Sequence, residues 1–250
     1  MFNWTRGLGR SPDNEVAFTT DAPNLDTPTW QLCTAAQFDD PFYLAIAGKL
    51  HFDPNWLHRK LWEYAYIVRV VERLIGDLSG KNGLTFGVGK EPMVAHFAAN
   101  GANIIATDLD PAAASASGWI ETHQHAASVE NLQYPDICAP ARLRRRVTFT
   151  PMDMNNISKD LSGFDFLWSS CSLEHLGSLK AGLKFVERAM HCLRPGGIAV
   201  HTTEFNVDSD YTTLETRNLS IYRRSDLVKL AGRLARDGNS VPLINFERGT

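Results

Sequence analysis

The hydrophobic and polar positions of the chain follow a pattern that changes between strand-like and helix-like periods. Residues 84–86 and 104–106 are two short apolar runs of the kind that forms buried strands. The segment between them has apolar residues at the spacing of one helix face, namely Met93, Val94, Phe97 and Ala98. This order of strand, helix and strand predicts a βαβ unit, and hence an α/β fold with a parallel sheet.

A glycine turn and an acidic residue lie at the ends of the two predicted strands. Gly87-Val88-Gly89 lets the backbone turn sharply, and it lets a ligand approach where a Cβ would block it. Asp108 ends the second strand, where an acid about 20 residues after the glycines can bond a ribose diol. Open α/β sheets bind ligands at the carboxyl ends of their strands, so the unit predicts a nucleoside site.

Pro92 bears on which nucleoside this site binds. It stands where a dinucleotide fingerprint would have a third small residue, and it removes an N–H donor that would face a pyrophosphate. S-adenosylmethionine contains a ribose and an adenine but no phosphate, so its binding does not need that donor. An NAD-dependent oxidoreductase shares the same βαβ unit and stays open as an alternative.

The pattern predicts further elements on both sides of this unit. Short helices are predicted at residues 29–38 and 41–47, and a longer helix over residues 53–75 begins with an aspartate cap followed by proline. Further strands are predicted at residues 147–150, 164–170, 198–201 and 241–246.

Residues 1–28 are rich in turn-forming residues and are expected to form an irregular lead-in. We divide the rest of the chain into an N-terminal helical segment at residues 29–80 and an α/β core at residues 81–250.

Composition limits the class of protein. A chain of 250 residues with 44% hydrophobic content can bury one full α/β core. The net charge of −3 gives no general attraction to nucleic acid. The four cysteines lack metal-ligand spacing, and no apolar run approaches the roughly 18 residues of a membrane span. We expect a cytoplasmic protein with no membrane span, no nucleic-acid partner and no metal.

The chain from about Leu84 to Asn206 resembles the class I S-adenosylmethionine-dependent methyltransferases. The first motif of that family is an acid, any residue and then G-x-G-x-G, and here Thr85 replaces the acid and Glu91 the last glycine. The resemblance extends to Leu173-Glu174-His175 after the fourth strand and to the Leu-Arg-Pro-Gly-Gly turn before the fifth. It implies a Rossmann-like methyltransferase sheet with helices on both faces, a helical N-terminal lid, and S-adenosylmethionine as cofactor.

The resemblance also implies which residues bind the cofactor. Asp153 would accept the adenine amino group, and the backbone N–H of Met154 would reach the ring. Arg59 would pair with the methionine carboxylate, although a solvated helix face is the alternative for this residue. Glu91, or a residue of an upstream helix, would replace the missing acid at the amino group. The complete set is Arg59, Gly87, Val88, Gly89, Glu91, Asp108, Leu109, Asp153, Met154 and Ser170.

His175 is the first candidate for a general base, because the pKa of histidine lies near working pH, and Glu204 is the second. A structural role at a helix start is the alternative for Glu174 and His175. Ubiquinone-pathway O-methyltransferases hold a divalent metal with an additional acid three positions before this glutamate. Cys171 occupies that position here, so we expect no metal.

The expected acceptor is the hydroxyl group of a small molecule or sugar, since the chain resembles bacterial methyltransferases of glycan and secondary-metabolite pathways. A non-catalytic module that binds S-adenosylmethionine is a further alternative.

The predicted elements lack one strand of this fold class. Such folds end with a hairpin whose final strand inserts antiparallel between the fifth and sixth strands. Four residues follow the predicted strand at 241–246, and they cannot turn and recross a sheet. We therefore expect that the final strand is missing because the chain is one domain of a longer protein, or that another segment fills its place. The first 28 residues and a neighbouring chain, as in a homodimer, are the candidates.

Overall fold

The computed structural model describes residues 2–7 and 16–249 of the chain. The strands within these residues are β1 (Phe2–Thr5), β2 (Asn82–Phe86), β3 (Asn103–Asp108), β4 (Val147–Pro151), β5 (Phe164–Ser170) and β6 (Leu193–Thr202). The helices are α1 (Pro41–Leu50), α2 (Arg59–Ile75), α3 (Met93–Ala99), α4 (Pro111–Ala116), α5 (Pro140–Arg146), α6 (Leu179–Ala189) and α7 (Arg224–Arg236). None of the helices described is long and apolar enough to cross a membrane.

The strands form one mixed sheet in the order β1-β6-β5-β2-β3-β4. All neighbouring pairs from β6 to β4 are parallel, so their carboxyl ends lie at one edge of the sheet. The strand β5 is buried along its whole length, and its side chains alternate between the two faces. Phe166 and Trp168 pack with α2 and α3, whereas Leu167 packs with α6 and α7. Helices therefore cover both faces, which confirms the predicted fold class.

The long helix α2 begins at Arg59, five residues later than the sequence pattern predicts from a cap at Asp53. The Asp53 carboxylate accepts the backbone N–H of Asn55 at 2.9 Å and closes a local turn instead of capping a helix. His58 is the actual N-cap, and its Nδ1 accepts the N–H of Lys60 at 3.1 Å. This shift places Arg59 and Lys60 in the first turn of α2.

The predicted helix at residues 29–38 is also wrong. The described structure has only a 3-10 turn there, Ala35–Asp39, and Thr34 and Gln37 close it with reciprocal side-chain bonds. The predicted helix at residues 41–47 forms as α1, which continues to Leu50.

The place of the missing strand is taken by β1. It pairs antiparallel with β6, with Thr5 opposite Ile198 and Trp4 opposite Ala199. Residues 2–5 are therefore a strand and not part of an irregular lead-in. This confirms the alternative in which a segment of the first 28 residues fills the position next to the predicted fifth strand.

Residues 241–246 do not form the predicted sixth strand. Their backbone makes only isolated bridges, in which Ile244 pairs with Phe18 and Trp30. Pro242 cannot donate to a strand ladder, which explains why the apolar pattern there does not produce a regular strand.

The docking of β1 can be tested through Trp4, which is fully buried and packs edge to face on Trp30 with ring centroids 5.0 Å apart. We expect Trp4→Ala to lower the free energy of unfolding by about 3–5 kcal/mol, because it leaves a large cavity. The matched control is Trp56→Ala, since Trp56 is 62% exposed and should change stability by no more than about 0.5 kcal/mol. Urea denaturation measures both, and equal effects would show that β1 is not docked in solution.

Candidate active site

The glycine turn after β2 requires glycine at two positions. Gly87 and Gly89 have φ values of +56° and +53°, in the left-handed region that side chains disfavour. A Cβ at Gly87 would lie 2.7 Å from Ser172 Oγ, and one at Gly89 would lie 3.1 Å from the Gln124 carbonyl oxygen. The turn therefore lies against the segment that follows β5, at the carboxyl edge of the sheet.

The carboxylate of Asp108 joins this turn to the end of β3. It accepts backbone N–H groups from Gly89 at 3.0 Å, Leu109 at 2.9 Å and Ala126 at 3.3 Å. Burial raises the pKa of Asp108, and these three hydrogen bonds oppose the rise. An ionised carboxylate has about four lone-pair positions, so the three bonds leave capacity for one further donor. Val88, between the two glycines, is buried.

Asp153 and Met154 follow β4, as the sequence analysis places them. The Asp153 carboxylate accepts the N–H of Asn155 at 2.8 Å and the side-chain amide of Asn156 at 2.9 Å, so it stabilises its own turn. Met154 is buried, and its sulfur lies 3.3 Å from the position that a Cβ of Gly87 would take. The end of β4 therefore packs against the glycine turn.

The first turn of α2 extends to the end of β6 through Arg59. Arg59 Nη1 lies 2.7 Å from Glu63 Oε1, and Arg59 Nη2 lies 2.6 Å from Glu204 Oε1. The guanidinium also donates to Cys171 Sγ at 3.4 Å. Two candidates from the sequence, Arg59 and Glu204, are thus paired directly with each other.

Lys60 lies deeper in the site than Arg59. Its ammonium donates to Ser170 Oγ at 2.9 Å and to the Ser170 carbonyl at 3.2 Å, at the end of β5. It also lies 3.2 Å from Glu91 Oε1 and 3.3 Å from Glu63 Oε2. Lys60 therefore connects α2, the glycine turn and β5.

Glu63 is a buried acid whose side chain is only 2% exposed, and it pairs with both Arg59 and Lys60. The Cys171 thiol donates to it, with both carboxylate oxygens 3.1 Å from the sulfur, and Thr202 Oγ1 donates at 3.3 Å. Cys171 has a φ of +47°, an uncommon backbone conformation for a residue with a side chain. Its N–H donates to the Thr202 carbonyl at 3.1 Å, which holds this conformation.

Two further buried carboxylates each have an oxygen without a hydrogen-bond partner among the described residues. These oxygens are Glu91 Oε2 and Glu174 Oε1, on side chains of residues that are 7% and 1% exposed. The other oxygen of Glu174 accepts Thr203 Oγ1–H at 3.0 Å. Burial raises the pKa of each carboxyl to about 7. A buried acceptor without a partner is costly, so both oxygens fit a site whose ligand carries hydrogen-bond donors or positive charge.

His175 follows Glu174 but faces a different set of groups. Its Nδ1 lies 2.6 Å from the Asn218 carbonyl, which can only accept, so Nδ1 carries the proton. Burial lowers the pKa of His175 below 6.5, and Nε2 is therefore an unprotonated acceptor at pH 7. The Trp119 ring packs on the imidazole with centroids 4.8 Å apart.

Lys60 and Glu63 were not among the site residues predicted from the sequence, and Glu174 was predicted only as a structural residue at a helix start. Glu63 follows Leu61 and Trp62 at the start of a helix whose apolar residues are buried, which is a weak signal for a buried acid. The contact of Lys60 with Glu91 joins distant parts of the chain and left no local signal. In the part of the chain that is described, no three His, Cys, Asp or Glu side chains are arranged to hold a metal ion.

A family model described as a methyltransferase domain matches residues 58–238, which is most of the chain. The chain therefore belongs to this family of methyltransferase domains. Together with the fold, the match assigns it as a class I S-adenosylmethionine-dependent methyltransferase, rather than either alternative considered from the sequence. No curated protein matches the chain.

Several solved structures are similar to the fold. A complex of DhpI with S-adenosylhomocysteine is 14% identical, covers 82% of this chain and 92% of its own, and has a TM-score of 0.45. An S-adenosylmethionine-dependent methyltransferase from Mesorhizobium loti is 13% identical over 68% and 79% of the two chains, with a TM-score of 0.42. The glycopeptide N-methyltransferase MtfA complexed with sinefungin is 20% identical over 59% and 58%, with a TM-score of 0.40.

The raised pKa of Glu174 predicts a pH-dependent gain in stability for Glu174→Gln. Its pKa is about 7 in the folded protein and near 4.5 when exposed, so the folded state holds the proton between these values. Ionising this carboxyl therefore weakens the fold as pH rises through this range, and the loss is complete above pH 7. We expect Glu174→Gln to raise the melting temperature at pH 8 by several degrees and to change it little at pH 5.

Differential scanning fluorimetry at the two pH values measures the effect, with the exposed Glu121→Gln as control. An increase of the same size at pH 5 and pH 8 would contradict the assigned pKa.

Proposed function

We propose that this methyltransferase transfers a methyl group to a hydroxyl of a small molecule or sugar, with His175 as general base. The observation that carries the proposal is the hydrogen bond from His175 Nδ1–H to the Asn218 carbonyl at 2.6 Å. It selects the tautomer in which Nε2 is a free base, and a neutral imidazole at working pH is suited to accept the proton of a hydroxyl. Glu204 is less suited because it is already paired with Arg59 at 2.6 Å.

The described residues fit S-adenosylmethionine at the edge formed by β2, β3 and β5. The glycine turn at Gly87 and Gly89 has no room for side chains, and Asp108 fixes it by accepting the N–H of Gly89. We assign Asp108 and the adjoining backbone of Leu109 to the ribose. The position of Asp153 and Met154 after β4 supports their assignment to the adenine.

The methionine part of the cofactor carries a carboxylate and an ammonium, and the charged groups near the end of β5 match both. We assign Lys60 and Arg59 to the carboxylate, since both cations lie in the first turn of α2. We assign the unpartnered oxygen of Glu91 and the Ser170 carbonyl to the ammonium, because both are acceptors at the strand edge.

The cofactor supplies a methyl group that is already activated on a sulfonium. The protein has to position the acceptor, exclude water and receive one proton. His175 Nε2 takes that proton, and the Asn218 carbonyl keeps the ring in the orientation that exposes Nε2. Trp119 covers part of the imidazole and provides an aromatic surface beside the base. The acceptor therefore binds between the segments that follow β3, β5 and β6.

Asp108→Ala tests the cofactor assignment. Losing a charge-assisted hydrogen bond to a ribose hydroxyl typically costs about 1.5–3 kcal/mol, so affinity for S-adenosylhomocysteine should fall roughly ten- to a hundredfold. Isothermal titration calorimetry measures the affinity, and Asp110→Ala is the matched control. Asp110 caps α4 through the N–H groups of Ala112 and Ala113, so its loss should affect stability but not affinity. Equal affinities of Asp108→Ala and the wild type would remove Asp108 from the ribose site.

His175→Gln tests the general base. We expect kcat to fall by about 10²–10⁴ while the affinity for S-adenosylhomocysteine stays unchanged. The wild-type kcat/KM should fall at acidic pH, because a protonated ring cannot accept, and should level off above the pKa of His175, which lies below 6.5. The exposed His191→Gln is the control. Full activity in His175→Gln, or a fall in activity confined to alkaline pH, would reject the role.

The acceptor class is tested with matched pairs of compounds, phenol with aniline and a hexose with its amino sugar. Formation of S-adenosylhomocysteine, followed by chromatography, reports transfer to either group. We expect the wild type to methylate the hydroxyl member of at least one pair. His175→Gln should form little or no product with the same compound. Methylation of amines alone would overturn the proposal of O-methylation and leave the methyltransferase assignment intact.

A further inference from the structure

The charged side chains around the end of β5 form one connected cluster with more acids than cations. We call this the acidic cluster, and its members are Arg59, Lys60, Glu63, Glu91, Glu174 and Glu204. Four ion-pair contacts between 2.6 and 3.3 Å connect all of them except Glu174. Glu174 belongs to the same region, since burial and the nearby carboxylates of Glu63 and Glu204 raise its pKa. When all four carboxyls are ionised, they exceed the two cations by two negative charges.

Two members of the acidic cluster have unused binding capacity. Glu91 Oε2 and Glu174 Oε1 are buried and lack a hydrogen-bond partner among the described residues. Within the described residues Glu174 forms no ion pair with a cation, and its other oxygen accepts a hydrogen bond from Thr203. A protein interior does not keep such groups without compensation, so the geometry predicts a ligand with positive charge.

The cofactor and its product differ in charge by one unit. S-adenosylmethionine has a sulfonium, an ammonium and a carboxylate, for a net charge of +1. Methyl transfer breaks the carbon–sulfur bond, leaves its electron pair on sulfur and forms the carbon–oxygen bond, while the acceptor proton leaves to the base. The product S-adenosylhomocysteine is a neutral thioether with a net charge of zero. A site with an excess of negative charge therefore attracts S-adenosylmethionine more strongly than S-adenosylhomocysteine.

We propose that the acidic cluster, through Glu174, makes this enzyme bind the charged donor more tightly than the neutral product. This specificity rests on the assigned cofactor but not on the acceptor or on His175. The preference affects turnover, because methyl transfer removes the positive charge of the sulfonium that the acidic cluster attracts. The donor can then replace the product without a large excess of donor over product.

The test compares three ligands by isothermal titration calorimetry at pH 8, where carboxyls with a pKa of about 7 are ionised. S-adenosylmethionine and S-adenosylhomocysteine are the natural pair, and sinefungin has a protonated amine in place of the methylated sulfonium. We expect the wild type to bind both cationic ligands more tightly than S-adenosylhomocysteine. Glu174→Gln should reduce that preference on the order of tenfold, with little loss for S-adenosylhomocysteine. Glu91→Gln should weaken all three ligands alike, because Glu91 is assigned to the ammonium that they share.

The controls separate charge from shape and from folding. Gln keeps the size of Glu, so each Glu→Gln variant removes charge without changing shape. Glu204→Gln removes the charge of a cluster member that is only partly buried, and its effect on the preference should be smaller than that of Glu174→Gln. Glu187→Gln, on α6 and paired with Arg233, removes a carboxylate outside the acidic cluster and should leave the preference unchanged. His175→Gln should also leave it unchanged. Melting temperatures without ligand show that each variant is folded.

Three results would overturn the inference. The first is a wild type that binds S-adenosylhomocysteine as tightly as S-adenosylmethionine. The second is an unchanged preference in Glu174→Gln. The third is an equal loss for all three ligands in Glu174→Gln, which would mean that this acid binds only a group that the ligands share. If none of the three ligands bound, the cofactor assignment itself would fail, whereas absent O-methylation with an intact preference would leave the inference standing.

Discussion

The buried Glu63 carboxylate needs compensating cations and hydrogen-bond donors, and the rest of the site supplies them. A charge that is 2% exposed is stable only with compensating partners, and here they come from separate parts of the chain. Arg59 and Lys60 supply the charge from the same helix, and the Cys171 thiol and Thr202 hydroxyl supply donors from the ends of β5 and β6. The start of α2 is thereby fixed over the strand edge where the cofactor is assigned.

The pairing of β1 with β6 supplies hydrogen-bond partners to the backbone at the edge of the sheet. β6 would otherwise present unpaired backbone groups at an edge. An antiparallel strand from residues 2–5 removes most of that edge, and Trp4 anchors it by packing on Trp30. Arg6 extends the contact by donating to the Leu193 carbonyl at the start of β6. The fold therefore completes its sheet with a segment far in sequence from the expected position.

The parts of the structure that the sequence predicted are those with local causes. Gly87, Gly89 and Asp108 were recognisable because backbone conformation and strand ends are encoded nearby. The start of α2 was not, since the Asp53 carboxylate has two local uses and the turn with Asn55 prevails over a helix cap. Residues 241–246 have an apolar pattern, but Pro242 and the presence of β1 decide against a regular strand.

The acidic cluster could not be predicted because its contacts join residues far apart in the sequence. Lys60 meets Ser170 across 110 positions, and no periodicity reports such a pair. Arg59, Glu91 and Glu204 were predicted as separate site residues, but nothing in the sequence predicted their contacts. Leu173-Glu174-His175 marked the same region, and the structure gives its two polar residues different environments. Glu174 turns towards Thr203, where burial raises its pKa to about 7, while His175 turns towards Asn218, and burial lowers its pKa.

These opposite shifts have one physical origin, because burial disfavours the charged form of each group. Near neutral pH the ligand-free site therefore holds a neutral imidazole and a partly protonated acid side by side. A cation entering the acidic cluster would favour the ionised form of Glu174, since opposite charges lower a carboxyl pKa. The same cation would disfavour protonation of the adjacent His175 imidazole, because like charges repel. Binding of a positively charged donor thus favours the protonation state in which His175 can act as a base.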